Sequence, residues 1–402
     1  MLRGLTKEES LKWLDSWGQA IENDAVYGFG LSKMLYFRAP IFKIYDASFS
    51  LKGVFDNNPA LWGQKIMGFN ILSPEAIKNL PLDSKLVVLT SDYNNVREQL
   101  QAFGLKEKEN FIKVSVFWSL WTYYKHAQRL TMWSMGLHIT DRCSLACDYC
   151  AALIPKLTLK EGDRPLELLQ EDMDLLFSMV NFVSVLYISG GEALMHKELP
   201  QFLDYLHDRH FHKCAAVCIN TNGTMIPGKG ILDRCAAYGV EIRISDYSEA
   251  GIPGYGRTFE RLKKNLDDYG IVVSIADAPW YDFYLSDESR AALRESGPKG
   301  LMRHFAACPV QAAIFSDGFF YSCDKSYFIR KAGLIKNDMS IDALDFRALK
   351  PENQDDRLLT LMSILNYYAS PALQACRFCA GCQGTSLYPP ARAPRARQPR
   401  KA

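Results

Sequence analysis

Short apolar runs recur along this chain, each closing on polar or glycine residues and most followed by a stretch of helical period. In the middle of the sequence they are Leu186-Tyr187-Ile188, Val217-Cys218-Ile219, Val240 to Ile244 and Ile271 to Ile275. The first closes on Ser189-Gly190-Gly191-Glu192, the second on Asn220-Thr221-Asn222-Gly223-Thr224 and the third on Ser245-Asp246-Tyr247. Strands of this kind, alternating with helices, predict a parallel α/β barrel whose site gathers at the strand C-termini.

The first part of the chain repeats the rhythm separately. Strands are predicted around Ala25 to Phe29, Leu51 to Phe55 and Lys85 to Leu89, with a helix from about Tyr93 to Phe103. This β-α-β order predicts a small Rossmann-like domain. Its Gly28-x-Gly30 turn and the acidic strand end at Asp56 suggest a dinucleotide fingerprint, but Lys33 stands where the third glycine belongs. Two readings stay open: a docking domain in which the glycines only shape a turn, or a binding site for a nucleotide or nucleotide-activated sugar through Gly28, Gly30 and Asp56. An aromatic helical stretch from Phe111 to Ala127 connects this domain to the barrel. Beyond the barrel, the segment from Cys308 to Cys323 reads as a hairpin turning at Asp317-Gly318.

Composition narrows the function classes. The 402 residues leave room for two or three domains, and 48% hydrophobic residues supply their cores. A net charge of +2 gives no electrostatic case for a nucleic-acid partner. The N-terminus from Met1 to Glu9 lacks signal-peptide character, and no apolar run approaches the roughly 18 residues of a membrane span. Eleven cysteines without a secretion signal indicate a reducing cytoplasm and metal binding in place of disulfides.

The chemistry concentrates in Cys143, Cys147 and Cys150, spaced C-x3-C-x2-C with Tyr149 before the last. Three close thiolates hold three corners of a cubane iron–sulfur cluster and leave the fourth iron open, whereas a zinc site needs a fourth ligand. With Gly190-Gly191-Glu192 and the two strand ends after it, the run resembles the radical S-adenosylmethionine (SAM) enzymes over about 133–280. The resemblance implies a partial parallel (β/α)6 barrel over 133–290, a [4Fe–4S] cluster with an open iron, and SAM. It also implies a 5′-deoxyadenosyl radical that removes hydrogen from a substrate C–H bond, and a flavodoxin- or ferredoxin-type reductant. It places Tyr149 against adenine, Glu192 on the methionine ammonium within the Gly190-Gly191 turn, and Ser245 near the ribose or carboxylate, with Asn222 among the cofactor contacts. Arg243 shares the face of Ser245 and is a candidate for the methionine carboxylate, or for a structural salt bridge.

Five cysteines follow the barrel: Cys308, Cys323, Cys376, Cys379 and Cys382. Their order resembles the single-cluster twitch half of a SPASM domain, an α+β unit over 300–388. It implies an auxiliary [4Fe–4S] cluster on four of the five, favouring Cys308, Cys323, Cys376 and Cys379, with Cys382 able to replace a hook cysteine. Zinc in the same thiolates is the alternative. The remaining expectations are a Rossmann-like domain over 1–118, a helical linker over 119–132 and a disordered basic tail over 389–402.

Cys214, Cys218 and Cys235 read as core residues, with hydrogen-atom donation as the functional alternative. His196, His207, His210 and His212 form no metal pair, and Asp282 past the last barrel strand is a candidate substrate contact or salt-bridge member. An auxiliary cluster and a Rossmann-like module together favour oxidation or epimerisation of a sugar or nucleotide-sugar. The rival is modification of a ribosomally made peptide.

Overall fold

The computed structural model describes residues 6–31, 51–66, 68–81, 83–90, 93–147, 150–157, 162–276, 297, 313–335, 342–349, 354–368 and 374–379. The chain divides into two compact units, residues 1–133 with 351–369 and residues 134–350 with 370–402.

In the first unit, helix α1 (Lys7–Glu22) opens with a capping box in which Thr6 and Glu9 exchange backbone and side-chain hydrogen bonds. Its buried stripe is Ser10, Leu14, Trp17 and Ile21. The strands are β1 (Val26–Phe29), β2 (Val54–Phe55), β3 (Lys65–Ile66), β4 (Phe69–Leu72), β5 (Lys85–Val88) and β6 (Phe111–Lys113). They lie in the order β3-β4-β2-β1-β5-β6, and all but β3 run parallel. The order reverses between β1 and β5, the switch-point arrangement of doubly wound sheets. Helices α2 (Tyr93–Ala102) and α3 (Val114–Lys125) follow β5 and β6. The stretch expected as a link therefore begins as a strand, and α3 carries Phe117, Trp118, Leu120 and Trp121 into the core. Helix α9 (Gln354–Tyr368), read from sequence with the C-terminal cysteine region, belongs to this unit and packs on α3. Its Leu361, Met362, Ile364 and Leu365 are buried.

The second unit is built on β7 (Thr131–His138), β8 (Phe182–Ser189), β9 (Cys214–Thr221), β10 (Glu241–Ser245) and β11 (Val273–Ala276). Between them run α4 (Leu166–Met179), α5 (Leu199–Arg209), α6 (Lys229–Tyr238) and α7 (Tyr255–Asp268). The pairs β8–β9, β9–β10 and β10–β11 are parallel. The mixed α/β class with parallel sheets thus agrees with the expectation. A sixth barrel strand is not among the described residues.

On the other side of β7, β12 (Ile314–Ser316) adds in parallel, and β13 (Phe319–Tyr321) and β14 (Ala343–Asp345) extend the same sheet antiparallel. The predicted hairpin is present. Asp317 and Gly318 have φ of 57° and 76°, the double left-handed turn that Asp-Gly favours. What fixes this turn lies far away in sequence. Asp172 on α4 accepts hydrogen bonds from the backbone N–H of Asp317 (2.9 Å) and Gly318 (2.8 Å) and from Arg164 Nη2 (2.9 Å). Arg164 also bonds the Asp317 carboxylate at 2.9 Å, so one buried guanidinium ties α4 to the hairpin.

Removing Asp172 takes one of two carboxylates from the buried Arg164 and leaves two turn amides without their acceptor. Asp172→Ala is expected to destabilise the second unit by about 3–5 kcal/mol, measured as a shift in the chemical denaturation transition. An unchanged transition would show that the hairpin is held by other means.

Candidate functional site

The chain reaches the site along β7 and turns at Ile139. Thr140 and Arg142 then lie beside the turn after β8. Gly191 N donates to Thr140 O at 2.8 Å, and Glu192 N donates to Arg142 O at 2.8 Å. This approach excludes side chains. A Cβ on Gly190 would stand 2.7 Å from Thr140 O, and one on Gly191 2.4 Å from Arg142 O and 2.9 Å from Cys143 Cβ. The Gly-Gly pair thus brings the turn against the backbone of the cysteine loop.

Side chains lock the same loop. Thr140 donates to Asp163 at 2.7 Å and accepts from Arg142 N at 3.0 Å, while Arg142 Nη1 bonds Asp163 (2.9 Å) and Met195 O (2.7 Å). Asp141, fully buried, joins His138 Nε2 at 2.7 Å and Lys331 Nζ at 3.0 Å. Lys331 comes from α8 (Asp324–Lys331), which follows the hairpin, so the C-terminal part of the sheet is tied to the residues just before Cys143. Desolvation holds the His138 imidazole toward its neutral form.

Glu192 is 1% exposed, and no cation pairs with it among the described residues. Its Oε2 accepts from Asn222 N at 2.8 Å and its Oε1 from Leu194 N at 3.1 Å. Burial nevertheless raises its pKa to about 7, against the opposing pull of these amides and the Thr221 hydroxyl. Asn222 completes the link. Its Nδ2 reaches Ser144 Oγ at 3.0 Å and Cys143 Sγ at 3.7 Å. The ends of β8 and β9 are thus joined to the cysteine loop through one carboxylate and one amide.

Cys143 and Cys150 are mostly buried, and burial pushes the Cys143 thiol up to about 11 and raises that of Cys150. Tyr247, just beyond β10, has its phenol pKa raised by burial and then by the charges of Cys147, Cys150 and Cys143 and a hydrogen bond with Cys147. The sequence reading assigned this tyrosine no role; its signal was an aromatic placed two residues past Ser245. Ser245 keeps its carbonyl on the Tyr255 hydroxyl at 3.1 Å, and that hydroxyl accepts from Tyr247 N at 3.0 Å. Arg243 turns its guanidinium over the Tyr187 ring, 5.9 Å from the centroid.

Among the described residues no group of three or more His, Cys, Asp and Glu side chains converges on a single ion. A cubane places each thiolate on a different iron, so its ligands stand apart. The donor set fits such a cluster: three thiols on one short loop. The buried, cation-free Glu192 carboxylate beside Cys143 fits the ammonium of SAM. Of the later cysteines, Cys323, Cys376 and Cys379 are partly buried, and Cys308 and Cys382 lie outside the described residues, as do Tyr149 and the Trp280-Tyr281-Asp282 segment. Phe378 packs with Cys143 and Cys150 against one apolar cluster around Leu153, Ile154, Ile329 and Ala375. Cys218 and Cys235 are core residues, His196 bonds Arg164 O at 2.9 Å, and His207 stacks on Tyr238.

In the first unit, Gly28 is a packing glycine, since a Cβ there would meet Leu89 Cδ1 at 2.6 Å. Asp56 uses both oxygens on the backbone N–H groups of Leu31 (2.7 Å) and Asn58 (2.8 Å).

Residues 137–271 match the sequence profile of the radical SAM superfamily. The chain carries a radical SAM domain, and with it the [4Fe–4S] cluster and SAM that define these enzymes. The segment is also similar to a protein from Xanthomonas axonopodis pv. citri named PqqA peptide cyclase, 30% identical over 142 residues, which are 33% of this chain and 35% of that one. The chain thus spans about a third of that relative. Among solved structures, Streptococcus suis SuiB bound to precursor peptide SuiA superposes with a TM-score of 0.30 at 16% identity, over 50% of this chain and 42% of that one. BtrN in complex with AdoMet and 2-DOIA does so with a TM-score of 0.35 at 15% identity, over 62% and 93%. Among the described residues no helix is long and apolar enough to cross a membrane.

Gly191→Ala is expected to disrupt the cysteine loop, because the new methyl meets backbone that has no rotamer to adjust. A loss of roughly 1–3 kcal/mol is anticipated, read as a lowered unfolding midpoint before any iron is added. Full stability would mean that the turn and loop are not in contact.

Proposed function

We propose that this chain is a radical SAM enzyme that modifies a peptide. The supporting observation is the identity shared with curated peptide cyclases, 30% and 29% over 142 residues each. Nothing comparable supports the sugar or nucleotide-sugar substrate expected from sequence.

In this reading Cys143, Cys147 and Cys150 hold the cluster, and Glu192 receives the SAM ammonium. Reduced and with SAM bound, such a cluster supplies a 5′-deoxyadenosyl radical that takes hydrogen from an unactivated C–H bond. The chain's part is to position and to exclude water. Asn222 fixes Glu192 relative to Cys143, Ser245 lies at the ribose side, and Tyr149 would cover the adenine. The Glu192 carboxyl must ionise to pair with an ammonium. Cys308, Cys323, Cys376 and Cys379, with Cys382 in reserve, would carry an auxiliary [4Fe–4S] cluster, and a flavodoxin- or ferredoxin-type protein would supply the electron.

The test is incubation with SAM, a reductant and the product of any short reading frame found beside this gene. The reading expects 5′-deoxyadenosine together with a peptide of altered mass. An unaltered peptide alongside turnover of a sugar would overturn it.

The raised Glu192 pKa sets a pH signature. Below about pH 7 the ligand-free carboxyl is largely neutral, so SAM affinity is expected to rise between about pH 6 and pH 8. In Glu192→Gln the rise should vanish and affinity at the upper end fall by about 1.5–3 kcal/mol. A pH-independent affinity in the parent protein would remove Glu192 from the SAM site.

For the auxiliary cluster, a variant lacking Cys143, Cys147 and Cys150 should keep about four irons and visible iron–sulfur absorption. Zinc or no metal there would refute it.

A further inference from the structure

Strand alternation gives β8, β9 and β10 a second face, opposite the buried Ile242 and Ile244. The register sets Tyr187 level with Cys218 and Glu241, and Asn220 level with Arg243 and Ser274. Asn220 and Arg243 each stand two residues before a site residue, Asn222 and Ser245. At the rise of an extended strand this places them roughly 7 Å beneath the mouth where SAM is proposed to bind.

Three observations set this row apart. Arg243 is exposed, and among the described residues no carboxylate pairs with it. Its guanidinium leans over Tyr187, whose strand position is one step further from the mouth, and the ring steadies it in that direction. Asn220 Oδ1 is buried and has no hydrogen-bond partner among the described residues. A buried acceptor left empty costs stability unless a ligand fills it.

We propose that Arg243 and Asn220 recognise an acidic side chain of the peptide substrate and its neighbouring amide, and that Arg243 is not a SAM contact. This rests on the peptide reading above. The planar guanidinium takes a carboxylate through two parallel hydrogen bonds. The Asn220 oxygen accepts from a peptide N–H and would repel the oxygens of a phosphate, which selects a carboxylate next to an amide. Glu241 lies on the same face one step deeper. Burial raises its pKa and so weakens its opposition to an incoming anion. Cys218, 2% exposed, fills the floor between them.

The experiment immobilises the full-length, cluster-loaded protein with SAM and passes a random library of capped short peptides over it. Retained peptides are sequenced by mass spectrometry, and SAM affinity is measured separately. The expected result is enrichment of Asp or Glu over Asn or Gln at one position, roughly tenfold or more, the worth of a charged hydrogen bond. Arg243→Gln should abolish that preference and keep the parent's SAM affinity, and Arg243→Lys should retain part of the preference. An acidic preference that survives Arg243→Gln would overturn the proposal. So would weakened SAM binding in that variant with peptide retention unchanged. Retention without acidic preference in the parent would overturn it too, while leaving the peptide reading intact. No retained peptide at all would overturn the peptide reading and this inference together.

Discussion

Everything at the site depends on one backbone contact, the clasp between Thr140–Arg142 and Gly190–Glu192. Two N–H···O bonds of 2.8 Å close it, and the missing side chains of two glycines make it possible. The clasp sets Glu192 beside Cys143. It also fixes the start of the cysteine loop, which Asp141 secures from the other side through His138 and Lys331. Asn222 then spans the carboxylate and the first thiol. Loosening any one member frees the others, because the partners are shared.

The electrostatics around the cysteine loop run against ionisation. Burial raises the thiols of Cys143 and Cys150 and lifts Glu192 to about 7. If Cys143 and Cys150 hold the cluster and Glu192 receives the SAM ammonium, as proposed, cluster assembly displaces thiol protons and SAM binding brings a cation to a carboxyl that is only partly charged. Metal binding of this kind is coupled to proton release.

Much of this was legible in the sequence because it is local. Apolar runs ending in polar residues predicted the strands and the end of the sheet where the site lies. Asp317-Gly318 predicted its hairpin, and the spacing of three cysteines predicted a cluster loop. Contacts between distant segments were not legible. Nothing near Asp172 signals that it caps a turn at Asp317, and nothing near Gln354 to Tyr368 signals that this helix packs on α3. Gly28-x-Gly30 stayed ambiguous for the same reason: a glycine required by a neighbouring Leu89 reads, in sequence, like one required by a ligand. The sheet likewise continues past the barrel, because β12 pairs with β7, and pairing partners this far apart leave no periodic trace.

The central claim is that Cys143, Cys147 and Cys150 leave one iron open for the SAM methionine. Electron–nuclear double resonance on the reduced protein with SAM labelled at the amino nitrogen tests it directly. The account predicts a nitrogen coupling to the cluster of a variant lacking Cys308, Cys323, Cys376, Cys379 and Cys382, in which only the barrel cluster remains. A reduced cluster in that variant whose spectrum is unchanged by SAM, with no nitrogen coupling, would contradict it.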